Sequence, residues 1–165
     1  MTLASSAPSV AGTFTEVARR HLVKTRATHL PTADSLFVRT PDGDEWQPSE
    51  ELSAVLARSR MLYGAGMGVG SLTVLTEVVR GTVGMRWEED SRMEDALATV
   101  DADITQAIQS AQEEMEGGRI VDLDAARVVR GALFAALMES RKDVEGWQGD
   151  YPFERALASV QLWKL

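Results

Sequence analysis

Apolar residues recur every third or fourth position along most of this chain, the spacing of amphipathic helices, and alternate over only one short stretch. The most regular run is 91–116. There Met93, Leu97, Val100, Ile104, Ala107, Ala111 and Met115 form one seam of the kind that closes a helical bundle. Gly117-Gly118 ends it. An earlier helix is predicted over about 13–27, capped by Thr13 or Thr15, with Phe14, Val17, Ala18 and Leu22 on one face. Pro48-Ser49-Glu50-Glu51 starts another that runs to about Tyr63: the serine can accept backbone N–H bonds, and the glutamates suit the positive end of the helix dipole. Residues 125–138 are almost continuously apolar and predict a helix buried on most sides. Gly131 lies inside it, at a cost of about 1 kcal/mol relative to alanine. A last short helix is predicted over 153–163. The one β signal is Leu36-Phe37-Val38-Arg39, a turn at Pro41-Asp42-Gly43-Asp44, and a return through Glu45-Trp46-Gln47. A lone hairpin is marginal in water, so this one is expected to lean on helices through Phe37 and Trp46.

The expected fold is therefore mainly α: a bundle of about five to six helices with a small N-terminal β-hairpin at about 35–47. Residues 1–12, small and polar, read as a disordered tail, and 13–165 as a single helical domain.

The stretch Met61–Met85 departs from the amphipathic pattern. It carries two charges, Glu77 and Arg80, and four alternating glycines, Gly64, Gly66, Gly68 and Gly70. So apolar a segment is expected to be the buried element around which the others pack. Its glycines admit four meanings. GMGVGS approaches a dinucleotide-binding turn, but that turn needs a preceding strand, and a helix precedes it here. The uncharged run of 16 residues from Met61 to Thr76 is short for a membrane span. The overlapping pairs Gly64/Gly68 and Gly66/Gly70 would give a helix a close-packing face, open to another helix or to a second copy of the chain. Finally, four glycines cost a continuous helix about 4 kcal/mol, which a break ending at Ser71 as helix cap would remove. The break is the favoured reading. Backbone N–H groups at such a break form a generic anion site, so Gly64, Gly66, Gly68, Gly70 and Ser71 are binding candidates.

Charge alters the picture locally. The net charge is −8, yet residues 88–116 hold ten acidic residues and one basic residue, while residues 1–30 carry a surplus of three positive charges. Nucleic-acid binding is disfavoured overall, with the basic first helix as the weak exception. There is no cysteine, hence no disulfide, thiolate ligand or thiol nucleophile. The opening residues do not read as a secretory leader, and a bacterial cytoplasm is the expected setting, without a membrane partner.

Candidate chemistry is sparse. Glu77 and Arg80, at i and i+3, are expected to pair on one helix face; a carboxylate held in an apolar site would be the sharper, catalytic reading. Glu94 and Asp101 share a face of the acidic helix, where carboxylates alone would suit Mg²⁺. The helix-borne magnesium pattern E-x-x-E followed by E-x-x-D is half met by Glu113 and Glu116, but Glu139 and Asp143 have the wrong spacing. A solvated charged face is the expected role of these acids. His21 and His29 are the only histidines, and no histidine metal motif or G-x-S-x-G elbow occurs. Trp147 and Tyr151 lie in an aromatic loop that either anchors a partner or caps the core.

The functional expectation is a non-catalytic protein–protein interaction module, an adaptor, immunity-type inhibitor or assembly factor, acting as a homodimer and needing no cofactor. The alternatives are a Mg²⁺-dependent enzyme acting on a phosphorylated small molecule and, more weakly, DNA binding.

Overall fold

The computed structural model describes residues 10–25, 27–43, 45–120 and 122–165. In chain order the elements are α1 Val10–Lys24, α2 Ala33–Leu36, β1 Phe37–Arg39, β2 Trp46–Pro48, α3 Glu50–Gly64, α4 Gly68–Arg80, α5 Arg92–Glu116, α6 Leu123–Gly146 and α7 Glu154–Leu162. The fold is mainly α with one small hairpin, as the periodicity predicts. The unanticipated element is α2, a single turn. Over 1–9 the expected tail lies outside the described residues, and residues 10–12 belong to α1.

The apolar stretch supplies the central helix. α4 packs against α3, α5 and α6, and Leu72, Val74, Leu75, Val78 and Val79 are inaccessible to solvent. Fully burying such side chains stabilises the fold by roughly 1.5–3 kcal/mol each. At the α3–α4 crossing, Ser71 Oγ donates to Ser59 O at 3.0 Å and lies 3.0 Å from Ser59 Oγ. Small hydroxyl residues let these two helices approach with their polar atoms satisfied. Ser71 is thus an interior contact and not the cap expected of it. Met61, at the start of the stretch, is 55% exposed rather than buried.

The α5 seam is as predicted for Met93, Leu97, Val100, Ile104, Ala107 and Ala111, which are buried against the bundle, while Met115 at its end is only half-buried. Ser91 caps this helix, accepting the Glu94 N–H at 3.3 Å, and the turn at Gly117-Gly118 ends it, with Gly118 at φ 65°. Ser49 caps α3, accepting from Leu52 N–H at 3.2 Å.

The hairpin pairs Phe37 with Pro48, Val38 with Gln47 and Arg39 with Trp46. Phe37 is 2% exposed and its ring packs near Gly81 at the end of α4, so this strand is anchored as expected. Trp46 rests on the core, with the Arg39 guanidinium 4.9 Å from its ring centroid.

α6 contradicts expectation. It buries Ala126, Leu133, Ala136, Leu137, Ser140 and Val144 on one face only. Val128 is 71% exposed, and Phe134 and Met138 are also open to solvent. The bundle lies on one side of α6 alone, so near-continuous apolarity did not translate into burial all round.

Candidate functional site

The glycine stretch is a break after all, but a shorter one than expected. α3 ends at Gly64, the chain turns through Ala65, Gly66 and Met67, and α4 begins at Gly68. Gly66 sits at φ 69°, where a side chain is strained. Gly68 has a different reason. A methyl group there would lie 2.4 Å from Ala111 N and 2.5 Å from Ala107 O, so only glycine lets α4 start against the backbone of α5. The close-packing face is therefore used within one chain, at Gly68. Gly64 meets nothing within 4 Å and Gly70 only touches Thr28. The glycines give no ground for a second copy.

One edge of α5 receives this break. Asp103, Ala107, Ser110 and Glu114 follow one another at helical spacing beside the apolar seam. The Asp103 carboxylate accepts from Arg60 (Nη2 at 2.8 Å) and from the Tyr63 hydroxyl at 3.0 Å. Ser110 Oγ donates to Tyr63 O at 2.9 Å near the end of α3. Glu114 Oε1 accepts the Gly68 N–H at 2.5 Å. Glu114 thus does from another helix what a capping residue does locally, and it occupies the anion position that the break was expected to offer a ligand. Its burial pushes its pKa up, opposed by the Gly68 N–H bond and by the charges of Arg119 and Arg19. Asp101 plays the same part elsewhere: it accepts from Ala156 N–H in the first turn of α7 at 2.8 Å and from Arg155 Nε at 2.7 Å.

The expectation of a solvated acidic face is corrected for these three residues. Asp101 is 3%, Asp103 5% and Glu114 7% exposed, and each terminates or fastens a different neighbour. They do not converge. Glu94, paired with Asp101 as a magnesium candidate, instead folds back to accept the Asp90 N–H at 2.6 Å. Among the described residues no group of three histidine, aspartate or glutamate side chains is placed to share a metal ion.

Above the break lies a cleft of about 230 Å³ lined by Arg19, Gly66, Met67, Gly70, Glu114 and Arg119. Arg19, from α1, is held by its Nε donating to Ala65 O at 2.6 Å. Arg119 is turned back over the cleft by the glycine turn that ends α5, with its own N–H on Glu114 O at 2.8 Å. A methyl on Gly66 would lie 2.5 Å from Arg19 Nη2 and 3.7 Å from Arg119 Nη2, so both guanidiniums reach the same point. Neither forms a salt bridge within 4 Å among the described residues. Sequence reasoning missed Arg19, Arg119 and Glu114 as a group. The polar stripe 103-110-114 beside the seam was a visible signal; the convergence of residues 19 and 119 on a glycine had none.

The other candidates make contacts within the chain. Glu77 and Arg80 pair with each other at 2.5 Å on a partly exposed face, and among the described residues no further titratable side chain joins them in a salt bridge. Tyr151 donates to Leu137 O at 2.9 Å and stacks edge-on against Phe153, capping the core. Trp147 lies edge-on to Trp87, centroids 5.1 Å apart, and covers Gly149. In the basic first helix, Arg20 pairs with Glu16, and Arg19 is committed to the cleft. Arg26 lies outside the described residues. A hollow of about 480 Å³ lies open between the α4–α5 connection and α6, with charges of both signs on its rim.

The remaining feature is the outer face of α6. Val128, Gly131, Phe134, Ala135 and Met138 lie on one side, exposed and uninterrupted by charge. The ion pairs Asp124–Arg127 and Arg141–Glu145 bracket this stripe.

No helix among the described residues is long and apolar enough to cross a membrane. No protein-family model, curated protein or solved structure matches the chain.

Proposed function

We propose that the protein is a non-catalytic interaction module that associates with a second copy of itself through the outer face of α6. The observation that carries this reading is the exposed apolar stripe Val128–Met138, in the middle of a helix whose other face is fully engaged. Scattered exposed apolar residues are ordinary, but a contiguous stripe without a charge is a mark of a contact surface. The stripe is also self-complementary. An antiparallel two-fold pairing at the level of residue 133 sets Val128 opposite Met138 and Gly131 opposite Ala135, where small residues allow close approach. The same register sets Asp124 opposite Lys142 and Arg127 opposite Glu139, opposite charges in both cases. A parallel pairing would set each charge against itself.

One helix pair buries an area near the small end of specific interfaces, about 1,200 Å² in total or less, so the affinity belongs in the micromolar range. Sedimentation velocity from about 1 to 300 µM brackets such an affinity. The weight-average mass is expected to rise from 18.0 kDa toward twice that value. Val128→Glu is expected to abolish the rise, and Val23→Glu, equally exposed but on α1, to leave it unchanged. A mass of 18.0 kDa throughout refutes the proposal.

A further inference from the structure

We infer that the cleft between α1 and the α3–α4 break is a binding site for a tetrahedral oxyanion, a phosphate group free or carried on a small molecule, held by Arg19 and Arg119. The α4 N-terminus does not carry this inference, because Glu114 already occupies it. What carries it is two guanidiniums brought from distant parts of the chain to one point, without a salt-bridge partner for either among the described residues. Like charges converge at a cost unless something negative lies between them. Glu114 supplies part of that, but its carboxylate is bound to the Gly68 N–H and makes no ion pair with either arginine within 4 Å.

The arginines are also prearranged. Arg19 spends Nε on Ala65 O and sets Nη2 beside Gly66 in the cleft. Gly66, at φ 69°, keeps this place clear: a Cβ there would lie 2.5 Å from Arg19 Nη2 and would displace the guanidinium. At Gly117 a Cβ would lie 2.5 Å from Arg119 Nη1, so a side chain there would push that guanidinium from its place. Two planar guanidinium forks suit the several acceptor oxygens of a phosphate better than a single carboxylate, and each can bind it bidentately. The volume of about 230 Å³ admits a phosphate with a few attached atoms.

The test uses the full chain. Backbone amide NMR would be followed as inorganic phosphate is added at constant ionic strength, with chloride as the balancing anion. A second titration with glycerol phosphate separates free phosphate from a phosphomonoester. Saturable shifts centred on Gly66, Gly70 and Arg119 are expected. Arg19→Gln and Arg119→Gln are each expected to weaken binding by about 10-fold or more, the loss of a charge-assisted hydrogen bond. Arg86→Gln, on the rim of a different hollow, is expected to leave it unchanged. Shifts that do not saturate, that chloride reproduces, that centre elsewhere or that persist undiminished in the Arg19→Gln/Arg119→Gln double variant overturn the inference. The wild-type map needs no variant, so a misfolded variant leaves the test intact.

Discussion

Gly64 and Gly68 form one G-x-x-x-G pair, and substituting each by alanine should have opposite effects. At Gly68 the new Cβ would sit 2.4 Å from Ala111 N, 2.5 Å from Ala107 O and 2.9 Å from the Ser110 carbonyl carbon. Comfortable contacts of carbon start near 3.5 Å, so the start of α4 and the middle of α5 must part by about 1 Å. All three obstacles are helical backbone, which cannot swing aside as a side chain would. Overpacking of this kind costs about 1–3 kcal/mol, occasionally more. Removing a glycine from a helix returns at most about 1 kcal/mol, and less in the first turn. Parting the helices also stretches the Gly68–Glu114 bond and with it the cap of α4. The net expectation is a loss of about 1–3 kcal/mol for Gly68→Ala. At Gly64, in the last turn of α3, an added methyl meets nothing within 4 Å, so alanine should be neutral or stabilising by up to about 1 kcal/mol. Urea denaturation followed by circular dichroism measures both. With a slope near 2 kcal/mol/M, Gly68→Ala should lower the midpoint by about 0.5–1.5 M. A Gly68→Ala midpoint at or above wild type, or a loss at Gly64 as large as at Gly68, would show that the α4–α5 approach is not what selects glycine at 68.

Three further outcomes follow from the buried polar contacts. Asp101→Ala removes the cap of α7 and the partner of Arg155, and should cost about 1–2 kcal/mol in the same urea assay; an unchanged midpoint would remove its capping role. Tyr151→Phe keeps the ring against Phe153 but removes the hydroxyl's hydrogen bond to Leu137 O, and should cost about 1 kcal/mol. Glu114 has its pKa raised by burial, so its ionisation destabilises the folded chain. That contribution to stability is complete below the ordinary value of 4.5 and is lost as pH rises through the raised one. Glu114→Gln keeps an acceptor for the Gly68 N–H. Its stability relative to wild type should therefore rise with pH across that window, and a constant difference from pH 4 to 8 would refute the assignment.

The sequence revealed those parts of the fold that depend on periodicity. The α5 seam, the Ser49 cap of α3 and the Phe37–Trp46 hairpin follow from the local order of apolar, capping and turn residues. What escaped it depends on who sits beside whom. Gly64 and Gly68 are equivalent in sequence, and only the α5 backbone distinguishes them. Nothing local marks Asp101, Asp103 and Glu114 as buried, because their partners, Ala156 N–H, Tyr63 and Gly68 N–H, come from elements 40 to 55 positions away. The α6 face shows the converse error. Its apolarity was legible, but the inference that the same chain buries it was not justified, because a helix at the rim of a bundle has neighbours on one side only. The surplus apolarity of α6 is what the proposed self-association would use.

Distances across the pair test that proposal most directly. The chain has no cysteine, so a single introduced cysteine carries the only spin label. Labels at Ala125 or at Glu145 lie beside the proposed contact. With a rise of 1.5 Å per residue and a two-fold at residue 133, antiparallel pairing separates the 125 positions by about 24 Å and the 145 positions by about 36 Å along the helix axis. Dipolar spectroscopy at a concentration where dimer forms should return one distance in each range, with the 145 pair the longer. Equal short distances at both sites would mean parallel pairing, and no dipolar signal at either would mean that α6 does not meet a second copy.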